Sequence, residues 1–97
     1  MEGMMVVGAA TFALEITDGM TLKDKRAVVR SLLDRVRSRF NVSAAEVGQL
    51  DSVRHATLAV VAVANEEARV QRVLQKVADL VEGEPRAVVL EFSTEML

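Results

Sequence analysis

The chain has 97 residues, 51% of them hydrophobic, no cysteine, and a formal net charge of −2. That length supports one core of its own, and the missing cysteines exclude disulfides, thiolate nucleophiles and cysteine metal sites. The mild acidity argues against a general nucleic-acid coat, and three Phe with neither Tyr nor Trp leave little for base stacking.

The N-terminal stretch is apolar but lacks the basic n-region of a signal peptide, and Met4 and Met5 are alternative starts to Met1. From Met5 to Ile16 the residues alternate. Val6, Ala10, Phe12, Leu14 and Ile16 share one parity; Val7, Ala9, Thr11, Ala13 and Glu15 share the other. Period two over this length predicts a strand with the bulkier set facing the core. Asp18-Gly19 then predicts a turn.

Thr21 followed by Asp24 has the form of a capping box and predicts a helix start. Val29, Leu32, Leu33, Val36 and Phe40 recur at helical spacing, so one stripe packs on a sheet. Asn41 is the expected C-terminal cap. Val42 to Val47 predicts a short strand, Gly48 to Ser52 a turn, and Val53 to Ala64 a long strand. Asn65 is the expected cap of a second helix with Glu66 and Glu67 in its first turn. Val70, Val73, Leu74, Val77 and Val81 form its apolar stripe, and Gly83 and Pro85 end it. Arg86 to Glu95 alternates again, with Val88, Leu90 and Phe92 expected on the core face.

The order β-α-β-β-α-β predicts an α+β, ferredoxin-like sandwich forming a single domain over 1–97. Right-handed crossovers put both helices on one face of a four-stranded antiparallel sheet of order 4-1-3-2. No apolar run reaches the ~18 residues of a membrane helix. Absence of cysteine fits a cytoplasmic protein.

The sequence Thr21-Leu22-Lys23-Asp24-Lys25-Arg26, followed by Arg39-Phe40-Asn41-Val42-Ser43 and Ala45-Glu46-Val47, resembles the bacterial YlxP-like family. That family carries a [ST]-L-K-[DE]-K-R helix start and an R-F-N-V-[SA] junction. The resemblance covers nearly the whole chain. It implies a small ferredoxin-like domain of unknown biochemical role, whose genes often lie near those for translation initiation and ribosome-binding factors. Family members often carry an aromatic shortly after the turn aspartate. This chain has Asp51-Ser52-Val53-Arg54-His55 there instead.

Charge is concentrated in the first helix. Between Lys23 and Arg39, seven cations stand against Asp24 and Asp34, a net +5. Lys23, Arg26, Arg30 and Arg37 fall on one flank of the apolar stripe, Arg35 and Arg39 on the other. Guanidinium groups fork onto phosphate oxygens, so Lys23, Lys25, Arg26, Arg30, Arg37 and Arg39 are candidate contacts to structured RNA or a ribosomal particle. The plainer reading is a solvated helix face, with Asp34 neutralising part of the row and Arg stems covering apolar surface.

Two further features bear on function. One sheet face is left without helices and carries Val7, Ala9, Thr11, Ala13 and Glu15, with Thr57, Ala59, Val61 and Val63, and with Val89, Glu91 and Ser93. An apolar patch of this kind predicts a homo-oligomer, most simply a dimer. Second, a four-residue hairpin loop would set Glu46 opposite the single histidine, His55, with Glu15 at the same end of the sheet. Such a trio is capable of acid–base work; the plainer reading is a cross-strand charge pair. No catalytic, phosphate-loop or dinucleotide motif is present, and neither a cofactor nor a metal site is expected. The reading is a non-enzymatic binding module for RNA or a ribosomal particle. Its alternatives are an oligomeric protein-interaction module and, last, an enzyme using Glu15, Glu46 and His55.

Overall fold

A computed structural model describes residues 5–97; the candidate starts Met1 and Met4 lie outside the described residues. The elements run β1 (Val6–Ile16), α1 (Leu22–Arg39), β2 (Ser43–Gly48), β3 (His55–Ala64), α2 (Glu67–Glu82) and β4 (Ala87–Met96). The strands form one sheet in the order β2-β3-β1-β4, every pairing antiparallel. This is the ferredoxin-like βαββαβ arrangement, with β1 and β3 central and β2 and β4 at the edges.

The alternation of β1 does what its period dictates. Ala10, Phe12, Leu14 and Ile16 are buried, joined from β3 by Ala56, Leu58, Val60 and Ala62. Val28, Val29, Leu32, Leu33 and Val36 of α1 and Val70, Leu74, Val77, Ala78 and Val81 of α2 close the same core. Each large aliphatic or aromatic side chain fully removed from water contributes about 1.5–3 kcal/mol. Phe12 also stacks on its cross-strand partner Phe92, with ring centroids 5.0 Å apart, an offset geometry that aromatic quadrupoles favour.

Two β-bulges change the expected parities. The register of β1 with β4 passes from Ala13↔Glu91 to Leu14↔Val89, so Leu90 is the extra residue. An unpaired residue flips everything beyond it to the other face. Val89 therefore turns to the core beside Leu14 and packs against it, while Val88 and Leu90 are exposed. The second bulge, between Glu46 and Gly48, lies in the β2–β3 hairpin.

Helix ends follow the sequence at α1 and depart from it elsewhere. Thr21 Oγ1 accepts the Asp24 amide at 3.0 Å, and the Asp24 carboxylate accepts the Thr21 amide in return. The C-terminal cap of α1 is Phe40 in extended conformation, not Asn41. Glu66, not Asn65, is the N-cap of α2, and its side chain makes no capping hydrogen bond. Gly83 ends α2, its amide donating back to Asp79 and Leu80. Among the described residues no helix is long and apolar enough to cross a membrane.

Candidate functional site

The cations of α1 divide into those the fold uses internally and those it leaves on the surface. Asp24 starts the division. Its carboxylate also accepts the Met20 amide at 3.0 Å. These backbone donors, Met20 first, hold its carboxyl below the ordinary value. The first turn of α1 is thereby fixed, and Lys25 points inward from it. Lys25 is fully buried. Its Nζ donates to Glu46 Oε2 at 2.8 Å, to the Gln49 carbonyl at 2.9 Å and to the His55 carbonyl at 3.1 Å. An ammonium has three protons, and each of the three has an acceptor here. Gln49 holds φ 60°, a left-handed conformation that favours glycine, and this aims its carbonyl at the ammonium. Lys25 thus ties α1 to the β2–β3 hairpin and offers no surface to an anion.

Arg35 is absorbed on the opposite flank. It pairs with Glu84, which is 2% exposed, and Glu84 also accepts the Nε of Arg86 at 2.7 Å and the Arg86 amide at 3.0 Å. Chiefly through the hydrogen bond from the Arg86 side chain, and against the cost of burial, the Glu84 carboxyl is lowered to about 2. Arg86 reaches on to Ser31 Oγ at 3.2 Å, closing a link between α1 and the start of β4.

Arg37 donates to the carbonyl of Ala44 at 2.6 Å and lies 3.7 Å from Asp34. It therefore covers part of the backbone of edge strand β2, one of the ways natural sheets protect an edge. Lys23, Arg26 and Arg30 are exposed and form no ion pair among the described residues. Arg39 stands apart from them at the far end of α1, where it borders a cleft shared with α2.

The acid–histidine trio assembles only in part. Glu15 stands directly opposite His55 across β1 and β3, a closer relation than the shared sheet end that the sequence predicts. Glu46 does not join them: it lies opposite Leu58, because the loop runs from Gln49 to Arg54 and a bulge separates Glu46 from Gly48. On the core side of the sheet Glu46 meets Lys25 instead. His55 contributes its carbonyl to Lys25 and its amide to Ser52 Oγ, leaving its ring exposed. Among the described residues no group of three or more potential metal ligands gathers.

The helix-free face of the sheet is apolar toward β2 and β3. Val7 stands opposite Val63, Ala9 opposite Val61, and Ala45 opposite Ala59. Val47, Val61, Val63 and Val88 are exposed. The β4 side of the same face is acidic, with Glu91 beside Ala13 and Glu95 beside Ala9.

Comparison with known proteins agrees with this architecture. The model of a family described as a protein of unknown function, DUF503, matches residues 7–94. The chain is 32% identical over 80 residues to a Bacillus subtilis (strain 168) protein described as "Uncharacterized protein YlxP", covering 82% of this chain and 87% of that one. Among solved structures it resembles a dimeric ferredoxin-like protein of unknown function from Thermobifida fusca, with a TM-score of 0.53 and 15% identity over 99% of this chain and 92% of that chain. It also resembles a C-terminal segment of the alpha subunit of aIF2 from Pyrococcus abyssi, with a TM-score of 0.52 and 14% identity over 97% of this chain. The chain spans half the length of that segment. At these identities the structural likenesses show the fold.

Proposed function

Because the chain belongs to the DUF503 family of proteins of unknown function, we propose, from its geometry, that it is a non-catalytic binding module acting as a homodimer joined through the helix-free sheet face. The observation that carries this is the apolar ground on the two central strands, with Val61 and Val63 exposed and Val7, Ala9 and Ala59 half-buried around them. A contiguous apolar patch bordered by charge is typical of an interaction surface. A two-fold contact is the simplest way for one patch to cover itself. The dimeric state of the Thermobifida fusca protein, which has the same fold, supports the choice of a second copy as occupant. The two helices then remain outward in both copies, free for a further partner.

Sedimentation velocity tests this reading. The wild-type protein is expected to sediment as a dimer. Val61→Glu with Val63→Glu sediments as a monomer whose circular dichroism is unchanged, since both side chains already meet solvent in the isolated chain. A wild-type monomer at every concentration would refute it.

A second reading is favoured by one separate observation: Lys23, Arg26 and Arg30 lie on one flank of α1 without an acidic partner among the described residues. They suit the phosphates of structured RNA, in free or ribosomal form. Arg37, already engaged with Ala44 and Asp34, contributes less. Three phosphate contacts give log affinity against log salt a slope of about −2 to −3. Filter binding to ribosomal RNA with no salt slope, or with no loss in the Lys23→Gln, Arg26→Gln, Arg30→Gln variant, would rule it out.

A further inference from the structure

The far end of the helical layer holds a feature that neither reading uses. A cleft of about 540 Å³ opens between the C-terminal end of α1, the end of β3 and the first turns of α2. Its size lies within the range of small-molecule sites, roughly 300–1,000 Å³.

Its chemistry is two-sided. Phe40 and Val73, both half-buried, supply an apolar wall, with the fully buried Val70 behind it. Arg39, Arg69 and Lys76 stand around it, from two different helices, and none has an acidic partner among the described residues. Arg69, Val73 and Lys76 recur at three- and four-residue spacing, so they share one face of α2. Asn41 and Asn65 add side-chain amides, each with both a donor and an acceptor. The space continues past Phe40 and Lys76 toward Asp79. That carboxylate disfavours an anion at its end and biases negative charge toward Arg39 and Arg69.

Arg39, Arg69 and Lys76 line one cleft, so an anion placed between them is attracted to all three. Guanidinium forks match phosphate oxygens, and a flat apolar body matches the Phe40 and valine wall. The asparagine amides suit the polar edge of a nucleobase, whose donors and acceptors pair with such groups.

We propose that this cleft binds a nucleoside monophosphate, its phosphate held by Arg39, Arg69 and Lys76 and its base laid against Phe40 and Val73. The site is separate from the Lys23–Arg30 flank; at its sheet edge it includes Val63, which also stands on the helix-free face.

Amide-resolved NMR titration of the full-length protein tests it, with AMP, GMP, CMP and UMP as probes. At least one nucleotide produces saturable shifts at the amides of Asn41, Ala64, Asn65 and Arg69. Inorganic phosphate and the matching nucleoside each bind at least about tenfold more weakly, as two half-ligands must. The Arg39→Gln, Arg69→Gln, Lys76→Gln variant keeps a dispersed spectrum, because all three side chains are exposed, and loses nucleotide affinity by a similar factor. The proposal is overturned if no nucleotide gives saturable shifts, if the shifts centre on Lys23, Arg26 and Arg30, if phosphate alone binds as tightly, or if the triple variant binds undiminished.

Discussion

Lys25 Nζ and Glu46 Oε2 lie 2.8 Å apart across 21 residues of chain, with the lysine fully buried and the glutamate side chain 15% exposed. The pair joins the first turn of α1 to edge strand β2, and the same ammonium holds the hairpin carbonyls of Gln49 and His55. Removing the lysine leaves a partly buried carboxylate and two carbonyls without their donor. Lys25→Ala is expected to lose about 3–5 kcal/mol in urea unfolding. Glu46→Gln keeps an acceptor for the ammonium and is expected to lose less than half of that. Equal losses would mean that the carbonyl contacts contribute nothing.

Glu84 makes stability depend on acid. Its carboxyl titrates at about 2 in the folded protein against an ordinary 4.5. Depression of the folded value means the contribution is complete above about pH 4.5 and is lost as pH falls toward 2. Glu84→Gln removes the negative charge and turns one of the two accepting oxygens into an NH2 that cannot accept from Arg35 or Arg86. It is expected to cost about 1.5–3 kcal/mol at pH 7. Thermal unfolding of the two proteins across pH should show this gap closing between pH 4.5 and 2. A gap that stays constant over that range would place the effect in packing instead of charge.

Gly8 lets Val70 of α2 pack directly over the backbone of β1. A Cβ built there would lie 2.6 Å from Val70 Cγ1 and 3.0 Å from Met96 Cε. The methionine end can swing away, but Val70 is a stiff β-branched side chain in the core. Gly8→Ala is expected to destabilise by about 1–3 kcal/mol through overpacking. Adding Val70→Ala should return part of that loss, a coupling that a double-mutant cycle reads directly.

The fold was legible where one rule acted alone. Period two in β1, helical spacing in both helices and the Thr21–Asp24 capping pair all appear as expected. Parity was lost at Leu90 and around Val47, because a bulge inserts one residue without any mark in the hydrophobic pattern. The charges were harder to read. Lys25 looked like one more exposed cation, yet it sits three and four residues before Val28 and Val29 and seven before Leu32, on the buried side of the helix. That spacing was a usable signal; its partners Glu46, Gln49 and His55 were not, since they come from a hairpin whose register the sequence leaves open. Glu84 gave no local sign at all. It lies in a turn before Pro85, and only tertiary packing brings Arg35 and Ser31 to it and its neighbour Arg86.

The central claim is that two copies meet through the helix-free sheet face. Isotope-filtered NOE spectroscopy on a mixture of labelled and unlabelled protein tests it most directly, because it detects only contacts between copies. Inter-copy NOEs are expected from the methyl groups of Val7, Val61 and Val63. Inter-copy NOEs confined to helix-side methyls such as Val73, or none at concentrations where the protein is dimeric, would contradict it.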